Sequence, residues 1–187
     1  MPEALRIILL LALISCCAGF NVSQEKIVES GEAKTLDGSL WEIRDKQRVL
    51  LLVGRSNIID CRDMAHSILA EAARPDNKSY RGHAEAFETI ARKINAYIYK
   101  HKSLSMTEDL RSADFIVVFN VLQMRRNVMP QFGPLPEPLY PFGEMFVIVN
   151  ESPARPRIIW RSKKELMWVK DAARDLINEL KIVRGEK

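Results

Sequence analysis

A segment near the middle of the chain, SADFIVVFNVLQ from Ser112 to Gln123, is apolar at most positions. Its apolar side chains form two alternating sets, Phe115, Val117, Phe119 and Val121 on one side and Ile116, Val118 and Leu122 on the other. A strand that is apolar on both faces needs cover on both faces of its sheet. The pattern therefore predicts a central β-strand inside a packed domain.

Other apolar groups predict further strands around it. The run RVLLLVG at 48–54 is bounded by charge and glycine, which predicts a second buried strand. The segments 144–149 and 157–161 predict two strands joined by the turn-rich sequence NESPARP. A shorter group, LWEI at 40–43, predicts the start of the first strand of the domain.

Three segments carry helical spacing. The alanine-rich segment 58–74 predicts a helix that ends before Pro75, where proline blocks continuation. The segment 83–100 has apolar positions at amphipathic spacing, namely Phe87, Ile90, Ala91, Ile94 and Ile98. The segment 164–182 predicts a closing helix, and Ser162 with Glu165 has the spacing of an N-terminal capping box. Its apolar stripe is Leu166, Val169, Ala173, Leu176, Ile177 and Leu180.

This order of elements predicts an α+β fold. We expect a mainly antiparallel sheet of about four to five strands, with two or three helices predominantly on one face. The chain has 187 residues, a one-domain length, and we expect residues 39–187 to form a single domain.

The segment 129–143 is rich in proline and aromatic residues. Its five prolines predict that it is neither a helix nor an interior strand. Its apolar side chains are of the kind that dominate interface energetics, so we expect a partner-binding surface at Phe132, Leu135, Leu139, Tyr140 and Phe142. In the alternative interpretation these side chains fold back over the outer face of the central strand and complete the core.

Composition is that of an ordinary globular protein, with 47% apolar and 28% charged residues. A chain of this length can bury a core without disulfides or a structural metal. Two of the three cysteines, Cys16 and Cys17, lie in the leader, which argues against a disulfide framework. The net charge of +4 permits contact with an anionic surface but does not require it.

The first nineteen residues, MPEALRIILLLALISCCAG, have the form of a secretory leader. The apolar run Ile7–Ile14 is shorter than the roughly 20 residues of a transmembrane helix. Small residues follow it, as at a cleavage site. Two interpretations follow from the residues alone: cleavage near Ala18, or an uncleaved leader.

The leader also resembles the bacterial lipoprotein signal, because Leu13-Ile14-Ser15-Cys16 looks like a lipobox. The resemblance implies a signal peptide at 1–15 and a lipid on Cys16, with residues 16–38 as a flexible tether. It implies an outer-membrane lipoprotein facing the periplasm, since the residue after Cys16 is not aspartate. Plain secretion is the alternative localisation.

The segments SADFIVVFNV, GEMFVIVNESPARPRIIWRS and KKELMWVKDAARDLINELK together resemble a family of bacterial envelope lipoproteins of unknown activity. The matching positions are Ala113-Asp114, Gly143 and Ile159-Trp160-Arg161, within residues 112–181. The region before residue 80 departs from that pattern. The resemblance implies an α+β fold and an envelope address, without a reaction.

Candidate chemistry is sparse. Cys61 and His66 lie about 140° apart around a helix, so they do not form a nucleophile and base without help from a turn. Cys61, His66 and the nearby aspartates lack a metal-ligand spacing. His83 and His101 flank the second helix and are expected at the surface or at the helix end. We assign no catalytic residue, cofactor or metal.

Basic residues cluster near the last hairpin: Arg155, Arg157, Arg161, Lys163, Lys164 and Lys170. No nucleic-acid recognition motif accompanies them. We interpret the cluster as a solvated basic face, with anionic lipid headgroups or a cell-wall polymer as the alternative contact.

Two functional hypotheses remain. The first is a lipid-anchored envelope protein that binds another envelope protein or a cell-wall polymer and catalyses nothing. The second is a secreted hydrolase with an unrecognised active site. A deep pocket with converging polar groups would favour the enzyme, and a shallow surface with apolar groups would favour the binding module.

Overall fold

The computed structural model describes residues 36–55, 64–79, 81–126, 139–149 and 155–186. These residues belong to one compact unit of the chain, Thr35–Lys187. The strands are β1 (Arg48–Gly54), β2 (Ser105–Thr107), β3 (Phe115–Arg126), β4 (Leu139–Val149), β5 (Arg157–Arg161) and β6 (Met167–Trp168). The helices are α1 (Met64–Ala72), α2 (Arg81–His101) and α3 (Val169–Arg184), and 3₁₀ turns lie at Leu40–Ile43 and Pro75–Ser79.

The sheet is mixed, with strand order β2-β1-β3-β4-β5, and β6 also pairs with β4. The α+β class is confirmed. The described residues form six strands, more than the expected four to five, and β1 pairs in parallel with both β2 and β3. The other pairings, β3–β4, β4–β5 and β4–β6, are antiparallel. The parallel pairing arises because α1 and α2 form the crossover between β1 and β3, a connection that returns the chain in the same direction.

The prediction of a central strand is confirmed in β3. Residues 115–121 are all buried, and β3 is flanked by β1 and β4. One face packs Val49, Val53, Phe115 and Phe119 against α2 and α3. Because both faces are covered, both alternating sets of β3 are buried from residue 115 to residue 121, as the sequence pattern requires, whereas Leu122 is half-buried.

Two of the three described helices share one face of the sheet, and α1 covers the other. The second face packs Leu50, Ile116 and Phe146 against Ala65 and Ile68 of α1. The helix at 83–100 is confirmed as α2, and the segment at 58–74 forms α1 within its described part. The end of α1 before Pro75 also agrees with the sequence.

The closing helix begins later than predicted. It starts at Val169, and its N-cap residue Trp168 makes no side-chain capping bond. Ser162 is instead buried, where its hydroxyl accepts a hydrogen bond from Met145 N and donates one to Lys164 O. The serine therefore joins the sheet to the following turn, and the predicted capping box is wrong.

A capping box does occur at the start of the domain. Leu40–Ile43 forms a 3₁₀ turn in place of the expected strand, with Ser39 as its N-cap and Glu42 closing the box. Serine and glutamate at this spacing satisfy the backbone donors of the first turn, which favours a helical over an extended conformation. Leu40 and Ile43 are buried, so the apolar pattern identified core residues but not their conformation.

The prediction that 129–143 cannot be an interior strand is wrong for its last five residues. Leu139–Gly143 belong to β4, and Pro141 pairs with Met124 of β3. The register between the two strands shifts between Val121 and Gln123, so the ladder is irregular where the proline enters. Bulges are among the places where a sheet tolerates proline. At Gly143 an added Cβ would overlap the Asn120 carbonyl oxygen, so only glycine fits beside this irregularity.

Candidate functional site

An aromatic pair joins strands β4 and β6 at the surface. The ring centroids of Tyr140 and Trp168 lie 5.4 Å apart with an interplanar angle of 73°, an edge-to-face arrangement. The pairing of β6 with β4 holds the tryptophan there, because Trp168 lies opposite Phe142. Both rings are half-buried, which leaves part of each available for contact.

A cleft of about 480 Å³ opens beside this pair. Its walls are Glu85, Glu88, Thr89 and Arg92 of α2, Tyr140 and Trp168 of the sheet, and Lys170 of α3. The Lys170 ammonium lies 5.3 Å from the centroid of the Trp168 ring, a cation–π contact. The cleft thus combines an aromatic wall with two carboxylates and two cations, a lining that can both pack against and hydrogen-bond a ligand.

The expected partner-binding residues divide into two groups. Phe132 and Leu135 lie outside the described residues, as does Cys16. Leu139, Tyr140 and Phe142 lie on β4 and are half-buried. Of these three, Tyr140 lines the cleft, whereas the Phe142 ring lies 5.2 Å from the guanidinium carbon of Arg125. Partner binding through these residues stays a prediction.

Trp168 was not identified from the sequence as a site residue. The apolar pattern places the segment around it in the closing helix, whose stripe includes Leu166 and Val169 but not Trp168. An aromatic residue off the stripe of an amphipathic helix is the signal that could have found it.

Three of the six residues of the predicted basic cluster are paired with carboxylates. The ion pairs are Arg157–Glu42 at 2.7 Å, Arg161–Glu165 at 3.1 Å and Lys163–Glu179 at 4.0 Å, together with a contact between Arg161 and Glu144. The hydrogen bond from Arg157 lowers the pKa of Glu42. These pairs balance half of the cluster's cations.

A cluster of polar side chains lies across the neighbouring strands β3, β4 and β5. Asn120 of β3 and Glu144 of β4 are paired across the strands and are only 2% and 1% exposed. Arg161 of β5 contacts the Glu144 carboxylate, and its guanidinium carbon lies 6.0 Å from the centroid of the Phe146 ring. Because the Glu144 side chain is closed to solvent, we assign this polar cluster a structural role.

His101 is the last residue of α2, which confirms its expected place at the helix end, but its side chain is enclosed and not at the surface. Its side chain is 9% exposed, and Nδ1 lies 3.5 Å from the Glu186 carboxylate. Tyr97 donates a hydrogen bond to the same carboxylate. Burial and that bond raise the pKa of Tyr97 to about 12. Burial of Glu186 acts to raise its pKa, but the Tyr97 bond and nearby positive charge prevail and lower it.

The other histidines form no catalytic arrangement within the described chain. His83 stacks on Phe87 with ring centroids 6.2 Å apart, and burial together with nearby Lys78 lowers its pKa. His66 lies on α1, whereas Cys61 lies outside the described residues. Across the described ranges, no group of three or more His, Cys, Asp or Glu side chains could hold a metal ion. Within those ranges, no helix is long and apolar enough to span a membrane.

No protein-family model and no curated protein sequence matches this chain. Among solved structures, the PelC dodecamer from Paraburkholderia phytofirmans is 12% identical and covers 75% of this chain and 89% of its own, with a TM-score of 0.37. A single-residue variant of that dodecamer is 10% identical, covers 77% and 89%, and has a TM-score of 0.36. The hypothetical protein CT253 from Chlamydia trachomatis is 15% identical, covers 63% and 69%, and has a TM-score of 0.33. These scores are too low to establish a shared fold, and the resemblance to envelope lipoproteins stays a prediction.

Proposed function

We propose that this chain is a lipid-anchored cell-envelope protein that binds another envelope component and catalyses no reaction. In this proposal residues 1–15 are a signal peptide, residues 16–38 a tether, and residues 39–187 the binding domain. A lipid on Cys16 anchors the chain in the outer membrane, and the domain faces the periplasm. Nucleic acid is not a partner.

The observation that carries the binding role is the cleft beside Tyr140 and Trp168. Aromatic rings provide a large, rigid contact area, and their edge-to-face packing holds them in place without a ligand. Glu85, Glu88 and Arg92 provide hydrogen-bonding groups along the opposite wall. A sugar ring can pack its apolar face against the aromatic rings and hydrogen-bond its hydroxyls to the charged side chains. A cell-wall polymer therefore fits the cleft better than a purely apolar protein surface does.

The anchor gives the first test. We expect metabolic labelling with a fatty acid to tag the native chain and to leave Cys16→Ala unlabelled, because the thioether needs the cysteine sulfur. The labelled protein should sediment with membranes. Equal labelling of both proteins would contradict a lipid at Cys16 and favour plain secretion.

The cleft gives the second test, through Tyr140→Ala. Removing one half of a central aromatic pair should weaken binding to isolated cell-wall polymer about tenfold or more, as expected at an interface hot spot. The measurement is co-sedimentation at several polymer concentrations, with the melting temperature recorded for each variant.

The matched control is Tyr99→Ala, the same change at a tyrosine that is 86% exposed and does not line the cleft. It should bind like the native chain. If Tyr140→Ala and Tyr99→Ala bind polymer equally, the cleft is not the binding site. If the native chain binds no polymer, the same two variants should be compared for cross-linking to envelope proteins, and equal cross-linking there would reject the cleft altogether.

A further inference from the structure

A second groove, distinct from the aromatic cleft, runs between helices α2 and α3. It has a volume of about 290 Å³. Its lining is Lys93, Ala96, Tyr97, Lys100 and His101 from α2, with Arg174, Ile177, Asn178 and Lys181 from α3. Four of these nine residues carry a permanent positive charge, and none of the nine described lining residues is acidic. We call it the basic groove.

The cations of the basic groove come in two pairs, one on each helix. Lys93 and Lys100 are seven residues apart on α2, and Arg174 and Lys181 are seven residues apart on α3. Seven residues make about two helical turns, so each pair lies on one side of its helix, roughly 10 Å apart along the axis. Each helix therefore contributes two cations to the same groove.

These charges are only partly balanced by the fold. Arg174 pairs with Asp171 at 3.0 Å on the surface of α3, and that arginine side chain is 59% exposed. Among the described residues, no ion pair involves Lys93 or Lys181. In the cluster near the last hairpin, by contrast, Arg157, Arg161 and Lys163 are each paired with a carboxylate.

We propose that the basic groove binds the phosphate group of an anionic lipid in the membrane that carries the anchor. Lysine and arginine side chains are suited to phosphate, as point charges and as hydrogen-bond donors. Ala96 and Ile177 supply an apolar wall for the carbon skeleton next to the phosphate. The proposal rests on the proposed function for its lipid source. A tether of residues 16–38, as a flexible chain, would have a root-mean-square end-to-end distance of about 25–30 Å and so would hold the domain near the surface.

The test uses the chain from residue 20 onward, which keeps the compact unit Thr35–Lys187 and lacks Cys16. It should float with vesicles of phosphatidylcholine and phosphatidylglycerol and not with vesicles of phosphatidylcholine alone. The double variant Lys93→Gln with Lys181→Gln should lose about tenfold or more of this binding, because each basic residue near an anionic surface contributes strongly.

The matched control is Lys163→Gln with Lys164→Gln, which removes the same charge outside the groove and should change binding no more than about twofold. Equal losses in the two double variants would mean that only net charge matters, and would overturn the groove. If the chain binds equally well to vesicles in which oleate replaces phosphatidylglycerol, the groove does not require a phosphate group, and that part of the proposal is wrong.

A third arm separates the lipid from free phosphate. Titration with inorganic phosphate, followed by the amide resonances of Ala96 and Asn178, should give weaker binding than vesicles at equal phosphate concentration. Strong binding of free phosphate without flotation would overturn the lipid as its source. Because this chain carries no anchor, the result is independent of labelling at Cys16, and cleft variants such as Tyr140→Ala should float normally.

Discussion

Arg161→Met is expected to lower the free energy of unfolding by about 3–5 kcal/mol, the usual effect of removing one partner from a buried ion pair. Methionine preserves much of the packing against Phe146 but leaves the Glu144 carboxylate without its cation. That carboxylate is 1% exposed and cannot regain water without opening the sheet. The measurement is urea denaturation at neutral pH, compared with the native chain.

Two controls separate the buried charge from general damage. The double variant Arg161→Met with Glu144→Leu should recover most of the loss, because a buried ion pair can often be replaced by apolar residues without cost. Arg174→Met removes an exposed ion pair and should cost no more than about 1 kcal/mol. A double variant that is no more stable than Arg161→Met alone would show that the arginine acts through packing and not through charge.

Leu176→Ala is expected to destabilise the protein by about 2–5 kcal/mol, the range for a leucine truncated in a packed core. Leu176 is 1% exposed and lies in the cluster that joins α3 to α2 and the sheet. The loss should appear as a lower denaturation midpoint with an unchanged dependence on urea concentration, since the surface exposed on unfolding stays nearly the same.

Ile182→Ala provides the contrast on the same helix. The Ile182 side chain is 62% exposed. Removing it should therefore change the free energy of unfolding by no more than about 0.5 kcal/mol, as at most surface positions. Comparable losses at the two positions would mean that α3 packs through a different face from the one described.

The elements that could be predicted from the sequence are those with a strong and regular apolar pattern. In β3 six of the seven residues from 115 to 121 are apolar, and all seven are buried. In α2 the spacing of Ile90, Ile94 and Ile98 leaves one face apolar. Such patterns follow from the geometry of a single element and do not depend on its neighbours.

Features that depend on neighbours were missed. The parallel pairing of β1 follows from how the crossover helices pack, which no local pattern encodes. Pro141 sits in β4 because the ladder with β3 is irregular near Val121, and that irregularity involves residues about twenty positions apart in the chain. The shape of the polypeptide at these points is decided by contacts between elements.

The candidate sites also depend on contacts between elements, so the sequence predicts them only in part. Tyr140 was identified because it lies in an unusual aromatic segment, but its partner Trp168 comes from a strand of two residues. The basic groove could not be anticipated, because Lys93 and Lys181 line the same groove only when α2 and α3 pack together. Conversely, the cations of the last hairpin looked like an unbalanced cluster in the sequence, but their carboxylate partners are distant or on another element, as Glu42 and Glu179 are.

The parallel pairing of β1 with β3 has a consequence for how the chain folds. The partners Val49 and Phe115 are far apart in the sequence, so the β1–β3 pairing cannot form until the whole crossover and β3 are available. Non-local pairing of this kind slows folding and leaves apolar strands exposed in the meantime. Charged residues lie at the ends of both strands: Arg48 begins β1, Arg55 follows it, and Asp114 precedes β3. Charges at the ends of apolar strands oppose self-association of those strands before the sheet has formed.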